Sequence, residues 1–313
     1  MGSINVIIFG ATGGVGSEAA LAAKSHGANV FLAMRDTSKP FPNLTSDQEK
    51  EVGFTRVQAD LLQPNTLQAA VTKTGSKHAF IYLAWASDDH MKAAAKALKS
   101  AGIDFIVFLS SGGIKGEAKD ALPVNIAAYA HGQVEVTLND TFGSEGFVAV
   151  RANYFASNAR RWKPMFVSGD MKIVYPDVTF DWLSPRDVGR VCGALVAGGW
   201  SAAQGHNVVP LSGPNVISQR DAALVVAKSL GKSVTVTEID EDTAVAAMTD
   251  AGAPVHLARG LMKIFKDRME SQKNDTTYAG PAYELSVENI LKYGGKKATT
   301  FEEWIAEDKK AWV

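Results

Sequence analysis

Gly10, Gly13 and Gly16 recur at every third position of VIIFGATGGVG, with Gly14 between them. There the apolar run Ile4–Phe9 hands over to a helix-forming stretch, Val15–Ser25. Glycine weakens a helix by about 1 kcal/mol relative to alanine. Four of them at one junction therefore mark backbone that something must approach closely. The chemistry such a junction can do is anion capture. Amides at a helix start lack carbonyl partners, and the helix dipole adds positive potential. Gly10 permits a tight exit from the strand, Gly13 and Gly14 admit a pyrophosphate to the backbone, and Gly16 lets the helix pack close. The N–H groups of Thr12, Gly13, Gly14 and Val15 are expected to face the ligand. A strand before, a helix after and a strand–helix alternation beyond make the turn a dinucleotide site; the alternative is a structural turn without ligand.

The end of the second strand chooses the dinucleotide. NAD binders place an acidic residue there for the ribose 2′-hydroxyl. This strand, Val30–Met34, ends in LAMRD. Ala33 and Met34 cannot serve, whereas the Arg35 guanidinium suits a 2′-phosphate and Lys39 can reach the same group. NADP(H) is the expected cofactor; Asp36 keeps NAD open, and a solvated Arg–Asp pair is the bland alternative. Asp60, with Leu61 after it, closes the third strand in QADLLQP. Its carboxylate either meets the adenine amino group or caps the next helix. Ala84 and Trp85 follow the fourth strand, at the edge where the cofactor ribose is expected; Trp85 can instead be edge packing.

These residues need a frame, and the first half of the chain supplies one. Strand patterns at Ile4–Phe9, Val30–Met34, Phe54–Gln58, Ala79–Leu83, IDFIVFLSS and GFVAVRANYF alternate with helical patterns at Val15–Ser25, Asn65–Val71, DDHMKAAAKALKSAG and Val124–Asp140. Ser87 reads as an N-cap, and RDTSKPFPNL as a loop. Short strands that are apolar at consecutive positions belong to a parallel sheet covered on both faces. The fold class is α/β, a Rossmann-type doubly wound parallel sheet with a smaller, partly interleaved C-terminal lobe. Residues 1–152 form the dinucleotide-binding domain and 153–313 the substrate-side lobe, with 206–210 returning a strand to the main sheet. In that lobe SPRDVGRVCGALVAGG reads as a helix with Ser184 as cap and Pro185 in its first position. Further helices are expected at 218–229, 240–250 and 254–270, and a strand at SVTVTEI.

Composition removes several function classes. The chain has 313 residues and a formal charge of −1, with no long basic run, so no nucleic-acid footprint is expected. Cys192 is the single cysteine; it fits a reducing compartment and reads as a core residue. No Gly-x-Ser-x-Gly elbow, no Walker lysine and no His/Cys metal spacing occurs, so no metal site is expected. No apolar run reaches membrane-spanning length, and the strand pattern at Ile4 leaves no secretion signal, which makes the cytoplasm the expected location. Gly2 lacks a myristoylation context, and sequons at Asn43, Asn139 and Asn274 read as chance.

VIIFGATGGVG, RDTSK, QADLLQP, HGQVEVTL, VRANYF, SPRDVGRV and LSGPNVISQRDAALVVAKSLGK, in this order, resemble the NmrA-like atypical branch of the short-chain dehydrogenase/reductases. The resemblance covers most of the chain. It implies NADP(H)-dependent reductases of quinones, dyes and phenylpropanoids, or cofactor-sensing regulators. Ordinary members use Tyr-x-x-x-Lys on the helix after strand five. Matching Glu135 to the family's helix glutamate puts the lysine position at His131 and the tyrosine position at Ala127, so that pair is absent. The resemblance then implies His131 as ribose ligand or proton relay, Tyr129 as the second candidate and Ser111 as carbonyl donor. His131 as a packed helix histidine and Ser111 as a turn cap are the structural alternatives. His131 and Tyr129 project about 200° apart on a helix. Asn153, Tyr154 and Phe155 are implied to flank the nicotinamide. Trp85, Ser111, Asn153, Phe155 and Trp182 are the expected substrate contacts, with Trp182 as a pocket or lobe wall. The expected activity is hydride transfer from NADP(H) to a small apolar quinone, enone or aromatic carbonyl. The alternatives are an NADP-sensing regulator with a protein partner and a cofactor-bound isomerase or cyclase.

Overall fold

The computed structural model describes residues 3–42, 44–272 and 277–312. Gly2 and the sequons at Asn43 and Asn274 lie outside the described residues. Elements run β1 (Asn5–Phe9), α1 (Gly14–Ser25), β2 (Asn29–Met34), α2 (Ser46–Val52), β3 (Thr55–Gln58), α3 (Pro64–Thr74), β4 (His78–Tyr82), α4 (Lys92–Ser100), β5 (Phe105–Ser111), α5 (Ile126–Phe142) and β6 (Phe147–Ala152). There follow α6 (Met165–Ser168), β7 (Asp170–Ile173), β8 (Thr179–Phe180), α7 (Pro185–Ala202), β9 (Val208–Leu211), β10 (Ile217–Ser218), α8 (Gln219–Leu230) and β11 (Thr235–Glu238). Last come α9 (Glu241–Asp250), α10 (Val255–Ser271), α11 (Gly280–Gly294) and α12 (Phe301–Glu307).

The first unit comprises residues 1–152, 185–211 and 288–297. Its seven strands lie in the order β3-β2-β1-β4-β5-β6-β9, and every neighbouring pair is parallel. Val6, Ile7 and Ile8 are all fully buried, so both faces of β1 are covered. The chain leaves β1 toward β2 on one side and returns to β4 on the other, which puts the glycine turn at the switch point where such sheets take ligands. α7 packs on α1 through Gly189 and Gly193: an added Cβ would lie 2.4 Å from Glu18 Cβ and 2.5 Å from Ala19 O, respectively. Only bare backbone permits that approach.

The second unit comprises 153–184, 212–287 and 298–313. Two small sheets, β7 with β11 and β8 with β10, are joined by an aromatic core that includes Trp162, Phe180, Trp182, Phe265, Phe301 and Trp304.

Several expectations change. The interleaving expected within 153–313 extends beyond 206–210: all of 185–211 and also 288–297 belong to the first unit. The DDHMKAAAKALKSAG helix starts at Lys92 rather than after Ser87, because His90 (φ 54°) and Met91 (φ 62°) hold left-handed backbone. Ser87 Oγ instead accepts from the Met91 N–H at 2.8 Å. Ser184 does not cap α7: its hydroxyl is buried without a hydrogen-bond partner among the described residues. Beyond the RDTSKPFPNL loop, α2 is an element with no counterpart in the expected pattern, fixed by a capping box between Thr45 and Gln48.

Candidate functional site

The turn after β1 is built around two obligatory glycines. Gly10 has φ +69°, and a Cβ there would lie 2.7 Å from Tyr82 Cε1. A Cβ on Gly16 would lie 2.2 Å from Gly10 O, so α1 starts directly against the strand exit. The Gly13 N–H donates to Gly10 O at 2.9 Å. That corrects the expectation for Gly13, whose amide is spent inside the turn. The N–H groups of Thr12, Gly14 and Val15 have no acceptor among the described residues. No side chain caps α1, and no acidic residue occupies its first turn. The positive end of the helix is therefore left for an external anion.

Gly10, Thr12, Arg35, Lys39, Asp60 and Leu61 line one pocket beside this turn, over Tyr82. Arg35 and Lys39 are exposed, and the Arg35 guanidinium has no hydrogen bond or ion pair among the described residues. Asp36 is differently placed. Its Oδ1 accepts from Ser38 N–H at 2.9 Å and Ser38 Oγ–H at 2.6 Å, and these donors hold its carboxyl below the usual range. Asp60 Oδ1 accepts from the Leu62 N–H at 3.0 Å, while the N-cap position of α3 is Gln63. The helix-cap alternative for Asp60 is thus replaced by a local turn. A brace absent from the sequence reading steadies the 36–39 loop. Arg56 Nη1 donates to Thr37 O and Lys39 O at 2.5 and 2.9 Å, and its Nη2 pairs with Glu49 of α2 at 2.5 Å.

A second group gathers where β4, β5 and α5 end or begin. Trp85 follows Ala84 and is 59% exposed. Its ring meets His131 edge-on with centroids 5.8 Å apart. His131 Nδ1 lies 2.8 Å from Ala127 O. A carbonyl only accepts, so Nδ1 carries the proton and Nε2 keeps its lone pair. Burial pulls the imidazole below its ordinary pKa, which keeps it neutral at pH 7. Tyr129 turns elsewhere, edge-on to His90 at 6.0 Å. Ser111 Oγ accepts from the Gly113 N–H at 3.1 Å, the turn-capping role; its own O–H remains able to donate.

Beneath this group lies a polar cluster whose partners the sequence did not reveal. Glu135 and Arg151 are both buried and pair at 2.7 Å. Ser110 Oγ donates to Glu135 at 2.5 Å, and Arg151 Nη1 donates to Gly116 O at 2.8 Å. One ion pair thereby ties β5, β6, α5 and the loop after β5 together. No periodic signal marks such a pair, since each member sits singly on its own element.

The remaining candidates belong to the second unit. Asn153 Nδ2 donates to Ser212 Oγ at 2.7 Å, and Phe155 is half-buried. Tyr154 stacks on Phe180 with centroids 3.8 Å apart. Trp182 as a pocket wall is corrected: it is fully buried, donates from its indole to Ile217 O at 3.0 Å, and packs on Trp162 and Phe301. Its ring is core material. In the first unit, Cys192 is also buried, and burial raises its thiol far above the usual range.

The amide-lined turn, the exposed cations and the shape excluded to any Cβ fit a phosphorylated dinucleotide. Among the described residues no cluster of His, Cys, Asp and Glu could hold a metal ion, and no helix is long and apolar enough to cross a membrane. The family model for NmrA-like proteins matches residues 3–305. The chain belongs to the NmrA-like family. The nitrogen metabolite regulation-like protein bik4 of Gibberella fujikuroi is 34% identical, covering 97% of this chain and 96% of that protein. The NAD(P)H azoreductase of Xenophilus azovorans is 27% identical over 96% of each. An NADPH-dependent quinone oxidoreductase of Escherichia coli, solved with NADPH, shares the fold with a TM-score of 0.71 at 20% identity, covering 97% of this chain and 99% of that one.

Proposed function

We propose that the chain is an NADP(H)-dependent reductase of small apolar acceptors, quinones first. One observation carries the cofactor choice. At the rim of the amide-lined turn the Arg35 guanidinium is unpaired among the described residues, while Asp36, the acidic residue available to an NAD ribose, has its Oδ1 taken by Ser38. In this reading the Thr12, Gly14 and Val15 amides hold the diphosphate. Arg35 and Lys39 hold the 2′-phosphate, and Asp60 and Leu61 border the adenine. NADPH, when bound, supplies hydride from its nicotinamide ring.

The acceptor follows from what the protein lacks. Neither ring candidate is set up as a strong acid: His131 is neutral with its proton turned to Ala127, and Tyr129 faces His90. An acceptor whose reduced oxygen is stable as an anion needs no such acid, and a quinone meets that requirement better than a simple ketone. His131 Nε2 can accept from a ribose hydroxyl, the Ser111 O–H can donate to the acceptor oxygen, and Trp85 offers an aromatic face. The quinone and azo reductases among the relatives support this chemistry.

A regulator that binds NADP without turnover is the second reading, favoured by the 34% identical regulation-like relative. The test is NADPH consumption, followed at the nicotinamide absorbance, across naphthoquinones, benzoquinones, enones and azo dyes. Turnover is expected with the quinones, and Trp85→Ala is expected to raise their KM without lowering the melting temperature. Tight NADPH binding with no consumption across the panel would overturn the enzyme reading in favour of the sensor.

A further inference from the structure

The second unit carries a pocket of about 340 Å³, open to solvent on one side and large enough for a drug-sized ligand. Trp162, Ile173, Met248, Met262 and Phe265 provide its apolar walls, and the methionines can adapt to an occupant's shape. Among the described residues no carboxylate lines it, and its charged side chains are Arg161 and Lys172. Lys172 is exposed, and its ammonium lies 3.9 Å from Asp170.

Arg161 is the unusual member. Its guanidinium lies over the rings of Trp162 at 4.7 Å and Phe265 at 5.4 Å. It donates to Tyr154 Oη at 2.8 Å, to Asn158 O at 2.9 Å and to Gln219 Oε1. All three acceptors are neutral, and no carboxylate pairs with Arg161 among the described residues. A guanidinium has five N–H donors. Three of these have acceptors, which leaves two, the number a carboxylate can take. A half-buried cation among aromatic rings, without a counter-ion, carries a desolvation cost that a bound anion would offset.

We propose that this cavity binds an apolar monocarboxylate, with its head on Arg161 and its chain or ring among Trp162, Met248 and Met262. The site lies wholly in the second unit and does not depend on the reductase reading. The experiment titrates the full-length protein calorimetrically with decanoate, below micelle formation, and with decanol. Saturable binding of one decanoate per chain is expected, with decanol weaker by about tenfold to a hundredfold, the worth of a charge-assisted pair. Arg161→Met is expected to reduce decanoate to the level of decanol. Ala247→Trp, introduced from an exposed position on the cavity wall, is expected to block both while the melting temperature holds. Should Arg161→Met not fold, decanol and Ala247→Trp still decide. Equal affinity for acid and alcohol, no saturable binding, or undiminished binding by Ala247→Trp would each overturn the proposal. NADPH titration of the same samples reports the first unit separately.

Discussion

Replacing Arg35 by glutamine tests the cofactor assignment most directly. The side chain is exposed and unpaired, so its removal disturbs no internal contact, and the fold should be unaffected. What is lost is one charge-assisted contact with a 2′-phosphate, worth about tenfold to a hundredfold in affinity. Two features place the expected value toward the lower end. Arg35 is open to water, where charges are screened over about 8 Å at physiological salt. Lys39 lines the same pocket and continues to attract the phosphate. The Kd for NADPH should therefore rise about tenfold, that for NADH should stay within about twofold, and adding Lys39→Gln should extend the NADPH loss to about a hundredfold. Titration calorimetry at low and high salt measures this, and discrimination should narrow as salt rises. A parallel loss of both cofactors, or an NADPH affinity indifferent to both substitutions, would refute the assignment of this rim to the 2′-phosphate.

Three other outcomes follow from the packing. Arg151→Met leaves Glu135 as an uncompensated buried carboxylate and should cost about 3–5 kcal/mol in denaturant unfolding, less when Glu135→Leu is added. Gly193→Ala gains about 1 kcal/mol of helix propensity. It also sets a methyl 2.5 Å from Ala19 O and Ala22 Cβ, and parting α1 from α7 costs about 1–3 kcal/mol, so a small net loss is expected, seen as a lowered unfolding midpoint. Burial pushes the Asp181 carboxyl up to about 7, although it accepts N–H bonds from Gly213 and Tyr154. The folded state then holds a proton that the unfolded chain has released, so stability should fall as pH rises from about 4 to about 7 and level off above. Melting curves should show that slope in the wild type and a shallower one in Asp181→Asn.

The local parts of the candidate site were legible because they are written in consecutive residues. The β1 exit, its glycines and Arg35 after β2 all lie within a few positions of a strand end, where period and punctuation fix geometry. Trp182 misled because an aromatic near a predicted helix start looks the same whether it faces a pocket or a core; its neighbours Phe180, Trp162 and Phe301 come from distant sequence. The Glu135–Arg151 pair and the Arg56 brace stayed hidden for the same reason. Gly189 and Gly193 carry a helical spacing that signals close packing only once α1 is known to lie opposite. Ser184 had the right residue type for a cap, yet its hydroxyl finds no partner among the described residues.

Residues 288–297 complete the first unit, with Asn289 Nδ2 bonded to Pro210 O at 3.0 Å and Gly294 set against Val191. A ribosome delivers that segment long after the six strands it completes. At about 5–20 residues per second, roughly seven to twenty-seven seconds separate the emergence of Ala152 from that of Glu288. Through this interval the nascent nucleotide-binding sheet lacks its closing piece, and for the first part of it, until α7 arrives, its alanine-rich helical seam is open as well. Loss of residues 288–297 should therefore loosen β9 and α7, elements laid down about eighty residues or more earlier in the chain.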